Sequence, residues 1–257
     1  MEYIVIGLTA LIGSGLTLFS GFGLGTLLLP VFGLFFPIEL AVVLTAIVHF
    51  LNNLFKLALL GRHADKAVIL RFGLPSIVAA IAGAYILTLL TDARPLLTYS
   101  LNGTTLSILP VKLIMALLMI VFALFDLVPR LSALQFDPKY LPLGGLLSGF
   151  FGGLSGHQGA LRSAFLLRTH LSKEAFIATG IVIACLIDVS RLTVYATRVG
   201  QFSEQLNYPL LLTATLCAYV GAFAGNRLLK RVTIRFVQHI VGSMLLVFAV
   251  LLGAGII

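Results

Sequence analysis

Residues 141–169 read LPLGGLLSGFFGGLSGHQGALRSAFLLRT. The stretch is apolar enough for a membrane, too long for an ordinary span, and interrupted midway at Gly152-Gly153-Leu154-Ser155-Gly156-His157-Gln158-Gly159. Glycine costs about 1 kcal/mol relative to alanine inside a helix, so this density of glycine marks a break. A second segment, Tyr3 to Phe36, has the same construction and breaks at Ser20-Gly21-Phe22-Gly23-Leu24-Gly25. Non-helical backbone at membrane depth is tolerated only where protein buries it or water reaches it. Each segment is therefore expected to dip to the midplane and return, with its tip at a central cavity.

The rest of the chain fits that setting. Of 257 residues, 60% are apolar and 10% charged, in blocks that approach the ~20 residues of a bilayer crossing. Continuous spans are expected at Ile38 to Leu60, Ala67 to Leu90, Ile108 to Val128, Glu174 to Thr197, Tyr208 to Leu229 and Phe236 to Ile257. No room is left for a separate soluble domain, and the first apolar block lacks a basic n-region and a cleavage site, so it is expected to be retained. Cys185 and Cys217 sit inside apolar segments without Cys-x-x-Cys spacing, which argues against disulfide or metal chemistry. The formal charge of +8 is spread over short membrane-flanking loops and forms no stripe, so nucleic acid is not an expected partner. No cofactor is expected; the partners are the lipid bilayer and a small anion, and the oligomeric state is open.

The chain also repeats itself. A shift of 135 positions brings Gly21 onto Gly156, Glu39 onto Glu174, Asn53 onto Asp188 and Lys56 onto Arg191, and Pro75 meets Pro209 with one residue slipped. Two homologous halves follow, 1–136 and 137–257, meeting between Val128 and Lys139. If every segment crossed once, the loop basic residues would divide almost evenly between the two faces. With both broken segments as hairpins, eleven of them share one face and only Arg94 and Arg198 lie opposite. The positive-inside tendency favours the second arrangement. The expected fold is an all-α polytopic membrane protein of two inverted repeats, each a glycine-broken hairpin plus three transmembrane helices, in an inner membrane with both termini outside.

Four basic residues remain inside the spans: Lys56, Lys112, Arg162 and Arg191. Each needs a cavity, a partner or a way to the interface. Arg162 follows the second tip too closely to escape; it either contacts an anion or pairs with Asp188. Lys56 and Arg191 lie near span ends, where snorkelling is the ordinary explanation, and Asp188 and Arg191 are spaced to pair on one helix face. Lys112 follows Pro110 near a span end. At each tip a helix begins, and its unpaired N–H groups suit an oxyanion. Thr26, Ser155, Gln158 and Ser163 add donors there, as do Asn52 and Asn53 from the neighbouring span. The candidate anion site is Gly21, Gly23, Gly25, Thr26, Asn52, Asn53, Lys56, Ser155, His157, Gln158, Arg162, Ser163, Asp188 and Arg191. His49 and His157 are candidates for proton coupling.

These residues carry a resemblance. Ser20-Gly21-Phe22-Gly23-Leu24-Gly25-Thr26-Leu27-Leu28-Leu29-Pro30 resembles the glycine-rich opening of the sulfite exporter TauE/SafE family, and the Pro37 to Lys56 helix fits the same pattern. Ser155-Gly156-His157-Gln158-Gly159-Ala160-Leu161-Arg162-Ser163 is similar to a branch of that family, in place of the more usual glycine-rich tip followed by proline. The resemblance implies transport of sulfur oxyanions or organosulfonates, commonly export. The departure at His157, Gln158 and Arg162 bears on which substrate. Sulfite-like groups present three acceptor oxygens, which suit N–H donors and a guanidinium fork.

Two other readings are open at this stage. Gly153-Leu154-Ser155-Gly156 matches the Gly-x-Ser-Gly of rhomboid-type intramembrane serine proteases, with Ser155 as nucleophile and His239 offered as base. Against it, the tetrapeptide is common in glycine-rich membrane segments, and the chain has no tryptophan for that family's Trp-Arg loop. A passive anion channel would use the same polar lining.

Overall fold

The computed structural model describes residues 1–20, 24–101, 103–202, 206–228 and 234–257. The chain is an all-α polytopic membrane protein. Its helices are α1 (Glu2–Ser20), α2 (Leu24–Gly33), α3 (Ile38–Leu60), α4 (Lys66–Thr91), α5 (Pro110–Leu127), α6 (Leu141–Ser155), α7 (Gly159–Leu166), α8 (Lys173–Phe202), α9 (Tyr208–Leu228) and α10 (Ile234–Gly253). Among the described residues, five helices are long and apolar enough to cross a membrane: Ile38–His63, Lys66–Thr91, Pro110–Leu127, Lys173–Thr197 and Tyr208–Gly225. These match five of the six continuous spans expected from sequence. The sixth, expected at Phe236 to Ile257, falls on α10, whose apolar stretch Gln238–Gly253 is shorter.

The break in the second long segment falls where its glycines predict. Gly156 takes φ +80 and ends α6 in a left-handed cap, its N–H donating to the Gly152 carbonyl at 3.0 Å. α7 then runs back along α6. The outer ends of the two arms meet: a Cβ on Gly144 would overlap the Phe165 ring, the Phe136 N–H donates to the Ala164 carbonyl at 3.1 Å, and the Phe136 and Phe165 rings stack at 4.3 Å. The segment is thus a hairpin that returns to the end from which it starts. In the first half α1 and α2 also pack on each other, a Cβ on Gly13 reaching within 2.9 Å of Leu27 Cδ1. The tip residues Gly21 and Gly23 lie outside the described residues.

Small residues decide the helix pairing. Gly145, Gly149 and Gly153 of α6 lie against the backbone at Phe72, Ser76 and Ala80 of α4, where a Cβ would overlap each carbonyl oxygen. Residue numbers rise together on both helices, so α6 runs parallel to α4, and its end stands beside Ala80, near the middle of α4. Gly221 and Gly225 of α9 take the same part against Leu11 and Gly15 of α1. Lipid offers no hydrophobic drive for helix association, so backbone approach through small residues is what holds such pairs. The first helix of each half therefore packs on a long helix of the other half. α3 packs on α8 and α5 on α10.

Two local features depart from the sequence reading. The span expected to open at Ile108 starts instead at Pro110, because Leu97–Leu101 and Thr104–Ile108 form an antiparallel hairpin, β1 and β2. Tyr99 of β1 donates its hydroxyl to the Ala254 carbonyl at 2.5 Å, which fastens this hairpin to the end of α10. In α4, Ile69–Gly73 forms a π-helical turn just before Pro75. Proline has no N–H to give the preceding turn, and the wider turn absorbs the mismatch.

Candidate functional site

The site is built on one face of α3. Thr45, His49, Asn52, Asn53 and Lys56 recur at helical spacing, and all five are at most 6% exposed. A polar stripe buried this completely in an apolar helix requires partners from other elements. α8 supplies the first of them. Asp188, fully buried, accepts from Arg191 Nε at 3.1 Å and Nη2 at 2.8 Å on one oxygen. Its other oxygen receives His49 Nδ1 at 2.6 Å and Asn53 Nδ2 at 3.4 Å. A carboxylate only accepts, so the His49 nitrogen and the Asn53 amide that face it are donors.

The second tip is tied to the same cluster. Arg191 Nη1 donates to the Gly152 carbonyl at 3.4 Å, and the Tyr195 hydroxyl donates to that of Gly153. At Gly156 a Cβ would come within 2.8 Å of Arg191 Nη1, so glycine is required there both for its positive φ and for the space the guanidinium fills. The start of α2 stands close by. A Cβ on Gly25 would lie 3.7 Å from His49 Cδ2, 3.5 Å from Thr45 Cγ2 and 3.8 Å from the Gly156 carbonyl oxygen. The start of the first half's short helix thus meets the tip of the second half's hairpin, halfway along α3.

Beyond the Asp188 cluster the cations are not matched. Sequence alone left Arg162 able to pair with Asp188; that ion pair is not formed, because Asp188 is taken up by His49 and Arg191. Arg162, 8% exposed, instead donates from Nη1 to Gln158 Oε1 at 3.5 Å, and its Nε faces the space at Gly180. Snorkelling, the ordinary explanation for Lys56 and Arg191, does not hold either: they are 5% and 0% exposed. Among the described residues no carboxylate lies within ion-pair range of Lys56.

Several donors are buried without a partner. Among the described residues, Asn52 Nδ2, Gln158 Nε2 and Thr45 Oγ1 have none, and the ring atom His157 Nε2 is unpartnered as well. The tautomer of His157 follows from its neighbours. Ser155 donates its hydroxyl to the Phe151 carbonyl at 3.0 Å, so its oxygen accepts from His157 Nδ1 at 3.1 Å. Neutral His157 therefore carries a lone pair on Nε2, in a ring stacked 5.2 Å from that of Phe122. Thr26 is buried on α2 and Ser163 is half-buried on α7.

The protease geometry is not present. Ser155 directs its hydrogen to the Phe151 carbonyl and touches His157, while His239 is exposed on α10 and donates to the Arg235 carbonyl at 2.7 Å. Among the described residues no group of three His, Cys, Asp or Glu side chains could hold a metal ion.

Sequence reasoning passed over Ser14, Thr45, Phe122, Asp126 and Tyr195. Thr45 precedes Asn52 by seven residues and shares its face, a signal that was available. Ser14 donates to Asn52 Oδ1 at 2.9 Å, a pairing across 38 residues that no local pattern announces. Asp126, 5% exposed in the last turn of α5, is an intramembrane carboxylate with no ion pair among the described residues. A lone acid in an apolar span is itself a signal of function.

None of the curated proteins matches the chain. The sequence model of one family, described as sulfite exporter TauE/SafE, matches residues 5–252, nearly the whole length and both halves of the buried cluster. Members of this family are membrane transporters and not enzymes. The chain belongs to the sulfite exporter TauE/SafE family.

Proposed function

We propose that the protein is a carrier for sulfite or a related sulfur oxyanion or organosulfonate, held where Gly25 of α2 approaches Gly156 of the second hairpin. The observation that carries this reading is the buried charge balance. Among the described residues, Lys56, Arg162 and Arg191 are buried with Asp188 as the carboxylate ion-paired in their cluster, which leaves two positive charges there in excess. An uncompensated charge inside a membrane protein is expensive unless a counter-ion arrives. A small oxyanion supplies that counter-ion and acceptors for the unpartnered amides of Asn52 and Gln158 as well.

In this reading the two halves are inverted repeats in an inner membrane, with both termini outside and the basic loops in the cytoplasm. The packing of each half's first helix on a long helix of the other half supports it. Transport is export, coupled to a proton carried by His49 or His157. Gly25, Thr26, Asn52, Lys56, Ser155, His157, Gln158, Arg162 and Ser163 line the anion's surroundings. Asn53, Asp188 and Arg191 position that set.

Uptake of radiolabelled sulfite into proteoliposomes tests the proposal. Saturable flux that an outward proton gradient stimulates, as exchange of anion for proton requires, and that Arg162→Ala abolishes, is expected. Non-saturable flux with unitary currents would make the protein a channel, and flux unchanged in Arg162→Ala would remove the site.

A further inference from the structure

Two carboxamides in the site are built so that only one of their ends is available. Arg162 has no acceptor, so the Gln158 atom that meets its Nη1 at 3.5 Å is the oxygen, and the Gln158 amino group must face away. That amino group is buried in a residue 1% exposed and has no partner among the described residues. Gln158 also caps α7, whose first-turn N–H groups have no acceptor within the helix. Asn52 repeats the arrangement from α3. Its oxygen receives the Ser14 hydroxyl at 2.9 Å, and its amino group, in a residue with no exposure, is unpartnered.

Among the described residues, the charged and hydroxyl acceptors of the Asp188 and Ser155 groups are already used. Both Asp188 oxygens are occupied by Arg191, His49 and Asn53. The Ser155 oxygen accepts from His157 while its hydrogen is spent on Phe151. Among the described residues the acceptors left unpartnered are the Thr45 hydroxyl, which turns its own hydrogen to suit, and His157 Nε2, whose ring is held between Ser155 and Phe122. Arg162, Lys56, the two amides and the first turn of α7 offer hydrogens only.

We infer that Gln158 and Asn52 are specificity-determining residues that select an oxyanion carrying no O–H. This rests on the anion reading above and narrows its substrate class to fully deprotonated groups such as a sulfite dianion or a sulfonate. An anion that keeps a hydroxyl, such as hydrogen phosphate or bicarbonate, brings a donor against donors. One of its hydrogens, or one of the amides, is then buried without a partner. Selection by mismatch of this kind needs no change in size or charge.

Sulfate and phosphate at about pH 8 make a matched pair of probes, since both are tetrahedral and close to doubly charged but only phosphate keeps an O–H. Thermal stabilisation of the purified full-length protein is titrated with each anion. The wild type is expected to need at least about tenfold less sulfate than phosphate for the same shift. Gln158→Glu, which places an acceptor where the amino group was, is expected to narrow that ratio several-fold, and Asn52→Asp supplies the same reading if the first variant does not fold. Equal response to the two anions in the wild type, or an unchanged ratio in both variants, would overturn the inference while leaving an anion site in place. A ratio that moves only in His157→Phe would transfer selectivity to His157 and overturn it as well. If sulfate, phosphate, sulfite and methanesulfonate all fail to stabilise the wild type, the anion reading itself fails.

Discussion

Asn53 donates to Asp188 across 135 residues, Nδ2 to Oδ2 at 3.4 Å. The same offset separates Lys56 from Arg191 and Gly21 from Gly156 in the sequence, so two positions matched by the proposed repeat touch each other. Position 53 carries a neutral amide where position 188 carries the carboxylate that is ion-paired among the described residues. The excess positive charge of the site follows from that asymmetry, because a second acid at position 53 would have cancelled half of it.

Asp188→Asn removes the partner of Arg191 and of His49 together. Breaking a buried pair by deleting one member costs about 3–5 kcal/mol, because the other charge stays buried and unpaired. A large drop in unfolding temperature is expected in detergent, only partly restored by sulfite. An unfolding temperature within a degree or so of the wild type would show that Asp188 does not hold the cluster.

Lys56→Met is expected to act in the opposite direction on the empty protein. It deletes an uncompensated buried charge and keeps the apolar stem, so the unliganded form becomes as stable as the wild type or more so. Sulfite affinity should fall by about tenfold or more with the loss of a charge-assisted contact. Paired thermal-shift titrations separate the two effects. Loss of stability with unchanged affinity would contradict the assignment of Lys56 to the anion.

Gly149→Ala tests the packing of α6 on α4. A Cβ there would overlap the Ser76 carbonyl oxygen, a backbone atom that cannot rotate away. Overpacking costs about 1–3 kcal/mol in a well-packed core, and a lower unfolding temperature is expected. A variant as stable as the wild type would mean that the two backbones do not approach so closely.

Cysteine labelling tests the topology. In a background without Cys185 and Cys217, Pro37→Cys and Arg62→Cys flank α3. A membrane-impermeant maleimide is expected to label position 37 from outside and position 62 only after the membrane is opened. Labelling of both from one side would end the inverted arrangement.

Much of this fold was legible because membrane physics leaves few choices. Residues 152–159 announced a break, and the left-handed Gly156 cap and the return of α7 to Gly144 are its consequence. The buried cluster was partly legible: the spacing of Asp188 and Arg191 predicted their pair, and His49 and Asn53 shared a face. What sequence could not say was which cation would be left without a partner. That depends on His49 reaching Asp188 from another helix, a contact over 139 residues. Burial of Lys56 was missed because distance from a span end suggests snorkelling, whereas the helices packed around α3 close that route. The β-hairpin was missed although Asn102-Gly103 between two β-prone runs is a strong hairpin signal, because the reading was tuned to apolar length.

The central claim is the position of the anion. Selenite and selenate carry a strong anomalous scatterer in the shape of sulfite and sulfate, so crystals grown with either and measured at the selenium edge locate the site directly. One peak is expected within about 4 Å of Gln158 Nε2 and of the Arg162 guanidinium, between Gly25 and Gly156, and absent in Arg162→Ala. A peak at a surface loop, or one that persists unchanged in that variant, would contradict the account.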